Sequence, residues 1–78
     1  MPRYHFHLRK NGILEVDPEG AELPTLDAAR DEAVLAAREI LAERLLQGEV
    51  LDGDCFVITR EDGTTVMEVP FKEAIRLD

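Results

Sequence analysis

The chain has 78 residues, 17 of them acidic and nine basic, which gives a net charge of −8 at neutral pH. A chain of this length forms one small domain, residues 1–78, without room for a second hydrophobic core. Its acidic balance argues against binding nucleic acid or anionic membranes, and its single cysteine excludes an internal disulfide and a cysteine-rich zinc site. No stretch approaches the ~20 apolar residues that span a bilayer, so we expect a cytoplasmic protein.

The first predicted element is a β-strand over Arg3–Arg9, in which apolar and polar residues alternate (RYHFHLR). The aromatic and aliphatic side chains face a core. His5 and His7 share the opposite, outer face. Two imidazoles at this spacing can bind one transition metal if a neighbouring strand supplies a third ligand.

A turn follows at Asn11-Gly12. Side-chain parity favours a three-residue loop, Lys10–Gly12, because this loop places Leu14 and Val16 on the apolar face of the first strand. A two-residue turn is the alternative, and it mixes apolar and polar groups on both faces.

The three-residue loop places Glu15 opposite His7. The predicted metal site is therefore His5, His7 and Glu15. The competing interpretation is that both histidines are ordinary solvated residues of the outer face, and this interpretation is the stronger one.

A long helix is predicted from Leu26 to Gln47. Thr25 has the side chain of an N-cap, and Gly48 follows the last turn as a C-terminal cap. One apolar stripe faces the sheet, and it comprises Leu26, Ala33, Val34, Ala37, Ile40, Leu41 and Leu45. A thinner apolar line lies on the opposite side and comprises Ala28, Leu35, Ala42 and Leu46.

The second hairpin turns at Asp62-Gly63, by either a two-residue or a four-residue loop. Both loops pair Ile58 with Met67 and Phe56 with Val69 on one apolar face. The other face pairs Thr59 with Val66 and also carries Cys55, which is interpreted as a half-buried structural thiol because no orienting residue is recognisable.

The element order β-β-α-β-β, with a helical turn around Lys72 to Leu77, predicts an α+β two-layer sandwich. One long helix covers a four-stranded antiparallel sheet. The preferred strand order is 2-1-3-4, whose crossover through the helix has the favoured hand. The order 1-2-4-3 is also antiparallel and stays open.

Apolar residues that a two-layer fold leaves uncovered are candidates for an interface. They lie on the helix back and on the outer sheet face: Leu35, Ala42, Leu46, Val57 and Val66. Singly exposed apolar residues are ordinary, so this interpretation competes evenly with the absence of any interface.

The opening Met1-Pro2 with the segment Arg3–Leu8 resembles a family of short, uncharacterised bacterial proteins. The acidic turn Asp17–Gly20, the alanine-rich helix and the closing Val69–Phe71 are similar too. The resemblance covers nearly the whole chain and implies a stand-alone domain of unknown function. His5 stands where that family has another aromatic residue, which counts against a two-histidine metal site.

No catalytic motif is present, so we expect a non-enzymatic interaction module without a cofactor. It self-associates as a homodimer or binds an unknown protein partner. The alternative is a metal-binding or metal-sensing domain that uses His5, His7 and Glu15. A third hypothesis, a nucleic-acid adaptor, would rely on Arg3, Arg9 and Lys10.

Overall fold

A computed structural model describes residues 1–49 and 53–75. These residues form an α+β fold of five β-strands, one α-helix and one 3₁₀ turn, which confirms the predicted class. The elements in chain order are β1 (Arg3–Lys10), β2 (Ile13–Glu15), β3 (Ala21–Glu22), α1 (Leu26–Leu46), β4 (Cys55–Arg60), β5 (Thr65–Pro70) and the 3₁₀ turn (Phe71–Ala74). The end of the predicted turn at Lys72 to Leu77 lies outside the described residues.

The sheet is antiparallel throughout, with the order β2-β1-β4-β5. The two-residue strand β3 also pairs with β1, beside Arg3 and Tyr4. The predicted count of four strands is therefore wrong, since the described sheet has five. The order differs from the predicted 2-1-3-4 in its labels, because the unpredicted β3 precedes the two strands of the second hairpin. The additional strand escaped prediction because two residues carry no periodic pattern.

The first hairpin has the two-residue turn Asn11-Gly12, so the predicted three-residue loop is wrong. Both turn residues have positive φ angles, 53° and 77°, as a type I′ turn requires. Leu8 pairs with Glu15 in the resulting register. Parity misled the prediction because it assumed that Val16 and its neighbours are buried, whereas all of β2 is exposed.

The second hairpin has the predicted pairing of Phe56 with Val69. The register then shifts by one residue beyond Ile58, so Thr59 pairs with Thr65. The predicted pairing of Thr59 with Val66 is therefore wrong. Val66 is the extra residue of a β-bulge, a local irregularity that an alternating pattern does not reveal.

The ends of α1 form as predicted. Thr25 Oγ1 accepts a hydrogen bond of 3.0 Å from the Ala28 N–H. At the other end Gly48 has a φ of 73°, and the Glu49 N–H donates to the Arg44 carbonyl at 2.9 Å. This geometry satisfies a helix carbonyl that would otherwise lack a partner.

The buried face of α1 consists mainly of alanines, which let the helix lie close to the sheet. Its buried residues are Ala29, Ala33, Ala37, Leu41 and Arg44. Leu45, predicted to face the core, is 67% exposed because Arg44 occupies the buried side of the last turn. The core centres on Phe56, which contacts Phe6 edge-on and Phe71 at a ring distance of 5.0 Å.

The Arg44 side chain forms a buried ion pair with Asp54 and lies 5.9 Å from the centre of the Phe71 ring. The Asp54 carbonyl in turn accepts a hydrogen bond of 2.9 Å from the Phe71 N–H. This pair therefore fixes the end of α1 to the beginnings of β4 and the 3₁₀ turn. Among the described residues, no helix has the length and apolar character needed to cross a membrane.

Candidate functional site

The outer face of the sheet lies opposite the face that α1 covers. In the register of β1 with β4, His5 is paired with Thr59 and His7 with Val57. Side chains of directly paired residues share a face. The two histidines therefore lie on the outer face, as predicted.

Asp17 organises this face from the loop between β2 and β3. Its carboxylate accepts hydrogen bonds from the Phe6 N–H at 3.1 Å and from the Glu19 and Gly20 N–H groups, both at 3.2 Å. Phe6 lies between the part of β1 that pairs with β2 and the part that pairs with β3. The carboxylate thus supplies the hydrogen-bond acceptor for its N–H there. One side chain replaces a strand at this point.

The main chain of Asp17 binds both imidazoles. Its carbonyl accepts a hydrogen bond of 2.9 Å from His5 Nδ1, and its N–H donates to His7 Nδ1 at 3.0 Å. Because a backbone N–H only donates, His7 Nδ1 carries no proton. His7 Nε2 therefore carries the ring proton and donates to Thr59 Oγ1 at 3.1 Å.

The histidine rings lie nearly parallel, 5.9 Å apart between their centres. Both nitrogens of His7 already have protein partners, whereas His5 uses its Nδ1. The arrangement therefore fixes the Asp17 turn to β1 and β4. Of the four imidazole nitrogens, His5 Nε2 is the one that takes no part in this hydrogen-bond network.

The structure does not bring the three predicted metal ligands together. Glu15 pairs with Leu8, so its side chain lies on the helix side of the sheet, away from His5 and His7. Residues 1–49 and 53–75 contain no group of three or more His, Cys, Asp or Glu side chains that could hold a metal ion. The wrong loop length in the first hairpin accounts for the misplacement of Glu15.

Partial burial raises the pKa of the Asp17 carboxyl. The hydrogen bonds from Phe6, Gly20 and Glu19, together with the nearby His5, lower this pKa by more than burial raises it. The pKa is consequently below the ordinary value of an aspartate. The sequence signal for this network is the spacing Asp17-Pro18-Glu19-Gly20, typical of a turn closed by an aspartate side chain. From the sequence alone, the segment is identified only as an acidic turn.

Cys55 lies at the start of β4 on the outer face and lines a pocket of 240 Å³, with Arg9, Glu68 and Lys72 among the other lining residues. Burial raises the pKa of the Cys55 thiol, an effect that exceeds the opposing influence of Arg9. A raised pKa keeps the thiol protonated and weakens it as a nucleophile. The geometry therefore favours the structural interpretation of Cys55.

Exposed aliphatic side chains gather on the back of α1. We call this the helix-back surface, and it comprises Leu35, Ala42, Leu45, Leu46 and Ile75. Part of it forms a shallow groove of 310 Å³ between the end of α1 and the 3₁₀ turn. Leu46 is 89% exposed, and the Arg38 guanidinium closes one side of the groove with a 2.8 Å hydrogen bond to the Ala74 carbonyl.

The five predicted interface residues lie in two separate places. Leu35, Ala42 and Leu46 belong to the helix-back surface. Val57 and Val66 lie in the sheet, where Val57 is only 9% exposed and Val66 is half-buried. The sheet residues consequently have little area left for a partner.

These features define a two-layer α+β domain with a structural histidine network and an apolar helix face that is exposed in the described part of the chain. The chain belongs to the family described as Domain of unknown function (DUF6894), whose model matches residues 3–72. The predicted resemblance to a domain of unknown function is thereby confirmed. No curated protein and no solved structure matches the chain.

Proposed function

We propose that this domain is a small non-enzymatic interaction module that self-associates through its helix-back surface. The observation that carries the proposal is the grouping of Leu45, Leu46 and Ile75 around Ala42, all exposed, at one end of α1. A domain of this size gains stability by burying such a surface against another chain. The groove beside Leu45 provides relief into which a side chain of a second copy fits.

Two other surfaces of the molecule, the β5 edge and the outer sheet face, support the choice of α1. The exposed edge of the sheet at β5 carries three devices that discourage pairing, namely the bulge at Val66, the charged Glu68 and the terminal Pro70. The outer sheet face presents the histidine network and the mostly buried Val57. Residues 1–49 and 53–75 give the helix-back surface no comparable protection.

The spacing of the exposed residues also suits the pairing of two helices. Leu35, Ala42 and Leu45 recur at intervals of seven and three, the spacing of a helix–helix seam. In an antiparallel pair centred between Arg38 and Glu39, Leu35 of each copy lies against the small Ala42 of the other. Arg38 of each copy then lies near Glu39 of the other, which gives two ion pairs of opposite charge.

The proposal includes a cytoplasmic location and a role that involves neither nucleic acid nor a cofactor. The excess of 17 acidic over nine basic residues supports the first of these exclusions. The free thiol of Cys55 supports a reducing compartment. No observation favours the metal-sensing alternative, since Glu15 lies on the wrong face of the sheet.

The test is the mass of the protein as a function of concentration, measured by sedimentation equilibrium for the wild type and for Leu46→Glu. We expect a wild-type mass above that of the monomer. We expect the dissociation constant of the variant to be about thirty-fold larger, because the new carboxylate must lose its hydration at the contact. Gln47→Glu is the matched control, since it adds the same charge beside Leu46 but off the surface. A wild type that stays monomeric at every concentration contradicts self-association, and equal masses for wild type and Leu46→Glu contradict the helix-back surface.

A further inference from the structure

The strand β2 exposes apolar side chains that the fold does not use. Ile13 is 68% exposed and Val16, just after the strand, is 66% exposed, with Leu14 between them also exposed. Leu14 and Val16 are among the residues that the parity argument places on the core face. Their exposure at the sheet edge therefore needs a separate explanation.

The backbone of β2 also offers unused hydrogen-bonding groups. In a two-residue hairpin the residues that flank the turn exchange hydrogen bonds, so Ile13 and Glu15 bond to β1. The N–H and C=O groups of Leu14 consequently point away from β1. Because β2 ends the described sheet, these groups face outwards at its edge.

We infer that two copies of the chain pair through β2, antiparallel about a two-fold axis at Leu14. The inference rests on the self-association in the proposed function but uses a different contact. In this register the two Leu14 residues exchange backbone hydrogen bonds and pack side chain against side chain. Gly12 of each copy then lies opposite Val16 of the other.

Charge selects this register. Lys10 pairs with Ile13 within one chain, and Ile13 lies opposite Glu15 of the second copy. The Lys10 side chain therefore extends over Ile13 towards Glu15 of the second copy. The Lys10 and Glu15 side chains together cover the Ile13 side chain. Shifting the register by one residue in each chain would place the two Glu15 carboxylates opposite each other, which like-charge repulsion disfavours.

The β2 contact and the helix-back surface lie on different elements. Each contact is two-fold, so a chain that uses both forms assemblies larger than a dimer. Loss of one contact leaves a dimer held by the other. Variants on the two surfaces therefore separate this inference from the proposed function.

The first experiment compares Leu14→Pro, Leu46→Glu and the variant with both changes by sedimentation equilibrium, with circular dichroism to verify folding. Proline at position 14 removes only an outward N–H, which an edge strand tolerates. We expect the Leu46→Glu protein to remain dimeric and the doubly changed protein to be monomeric. A monomeric Leu46→Glu protein overturns the inference and leaves the proposed function standing. A mass that Leu14→Pro leaves unaltered overturns it as well.

The second experiment swaps the charges in the Leu46→Glu background. Glu15→Lys places like charges at Lys10 and should weaken the dimer about ten-fold, whereas Lys10→Glu together with Glu15→Lys should restore it. Glu49→Lys is the control for the change in net charge. If the paired exchange does not recover the affinity, the proposed register is wrong.

Discussion

At the scale of single residues, Asp17 makes several structural contacts that its sequence context does not predict. Its two carboxylate oxygens accept three backbone N–H groups, and its own peptide groups hold both histidines. The two imidazoles at alternate strand positions suggested metal chemistry, but the structure employs them as partners of one loop. Hydrogen bonds rather than burial hold this edge of the sheet together.

Asp17→Asn should lower the free energy of unfolding by about 1–3 kcal/mol, because an amide offers one oxygen where the carboxylate offers two. Its NH₂ group would face the Phe6 N–H or those of Glu19 and Gly20. Urea unfolding at neutral pH measures the change. Asp62→Asn is the control, since the Asp62 side chain accepts an N–H bond from Thr64 in an exposed turn. An effect no larger than that of the control would show that the Asp17 network is dispensable.

The effect of Asp17→Asn should also depend on pH. The pKa of Asp17 is lowered in the folded protein, so its contribution to stability is fully present above the unfolded value of about 3.9 and is lost as the pH falls through the folded value. The stability difference between wild type and variant should therefore be constant near neutrality and shrink in acid. A difference that grows on acidification would contradict the assigned hydrogen bonds.

Gly20→Ala should destabilise the fold more than any other glycine replacement in the described turns. Gly20 has a φ of 69°, and an added Cβ would lie 2.8 Å from the Tyr4 carbonyl oxygen. Positive φ alone costs about 1 kcal/mol for alanine, and the backbone contact adds to that cost. Gly63→Ala is the matched control, because its φ is also positive but its Cβ would meet open space. Equal losses in thermal unfolding would exclude the close approach as a cause.

At the scale of the elements, the Arg44–Asp54 pair decides how α1 ends. Arg44→Met should lower the free energy of unfolding by about 3–5 kcal/mol, because it leaves the Asp54 carboxylate buried without its partner. Combining it with Asp54→Leu should recover most of the loss, since two apolar side chains need no partner. Denaturant unfolding of both variants provides the measurement. A doubly changed protein as unstable as Arg44→Met would mean that packing on Phe71 matters more than charge.

The elements themselves could be predicted where local rules act alone. The N-cap at Thr25 and the end of α1 before Gly48 follow from capping chemistry, and the apolar pairing of Phe56 with Val69 follows from alternation. The loop length of the first hairpin was predicted wrongly because side-chain parity is informative only for buried strands, and β2 is exposed. Turn chemistry was the better guide there, since Asn11-Gly12 favours a type I′ turn regardless of what the strands bury.

The candidate site was less predictable than the fold. The outer-face position of His5 and His7 follows from period two, but their partners do not, because Asp17 reaches them through a loop whose path no pattern specifies. The ion pair between Arg44 and Asp54 could likewise not be predicted from the sequence. They lie ten positions apart in the sequence, in different elements, so only the folded arrangement brings them together.

At the scale of the whole molecule, net charge opposes the association of copies. Each chain carries a charge of −8, so two copies repel at long range, whereas the proposed helix-back contact is mainly apolar. Raising the salt concentration from low to physiological should therefore strengthen self-association of the wild type. Sedimentation at several salt concentrations measures this effect. Weaker association in salt would indicate that ion pairs dominate the contact.

The sheet order has a consequence for the order of synthesis. β1 lies in the interior of the sheet, yet its partner β4 begins at Cys55, so one side of β1 stays unpaired until most of the chain has been made. The pairings of β1 with β2 and β3 can form early, because both lie within the first 22 residues. The newly made N-terminal half therefore exposes an aromatic strand with a free edge while it is still attached to the ribosome. That interval is when the chain is most open to misassembly, whatever the stability of the finished domain.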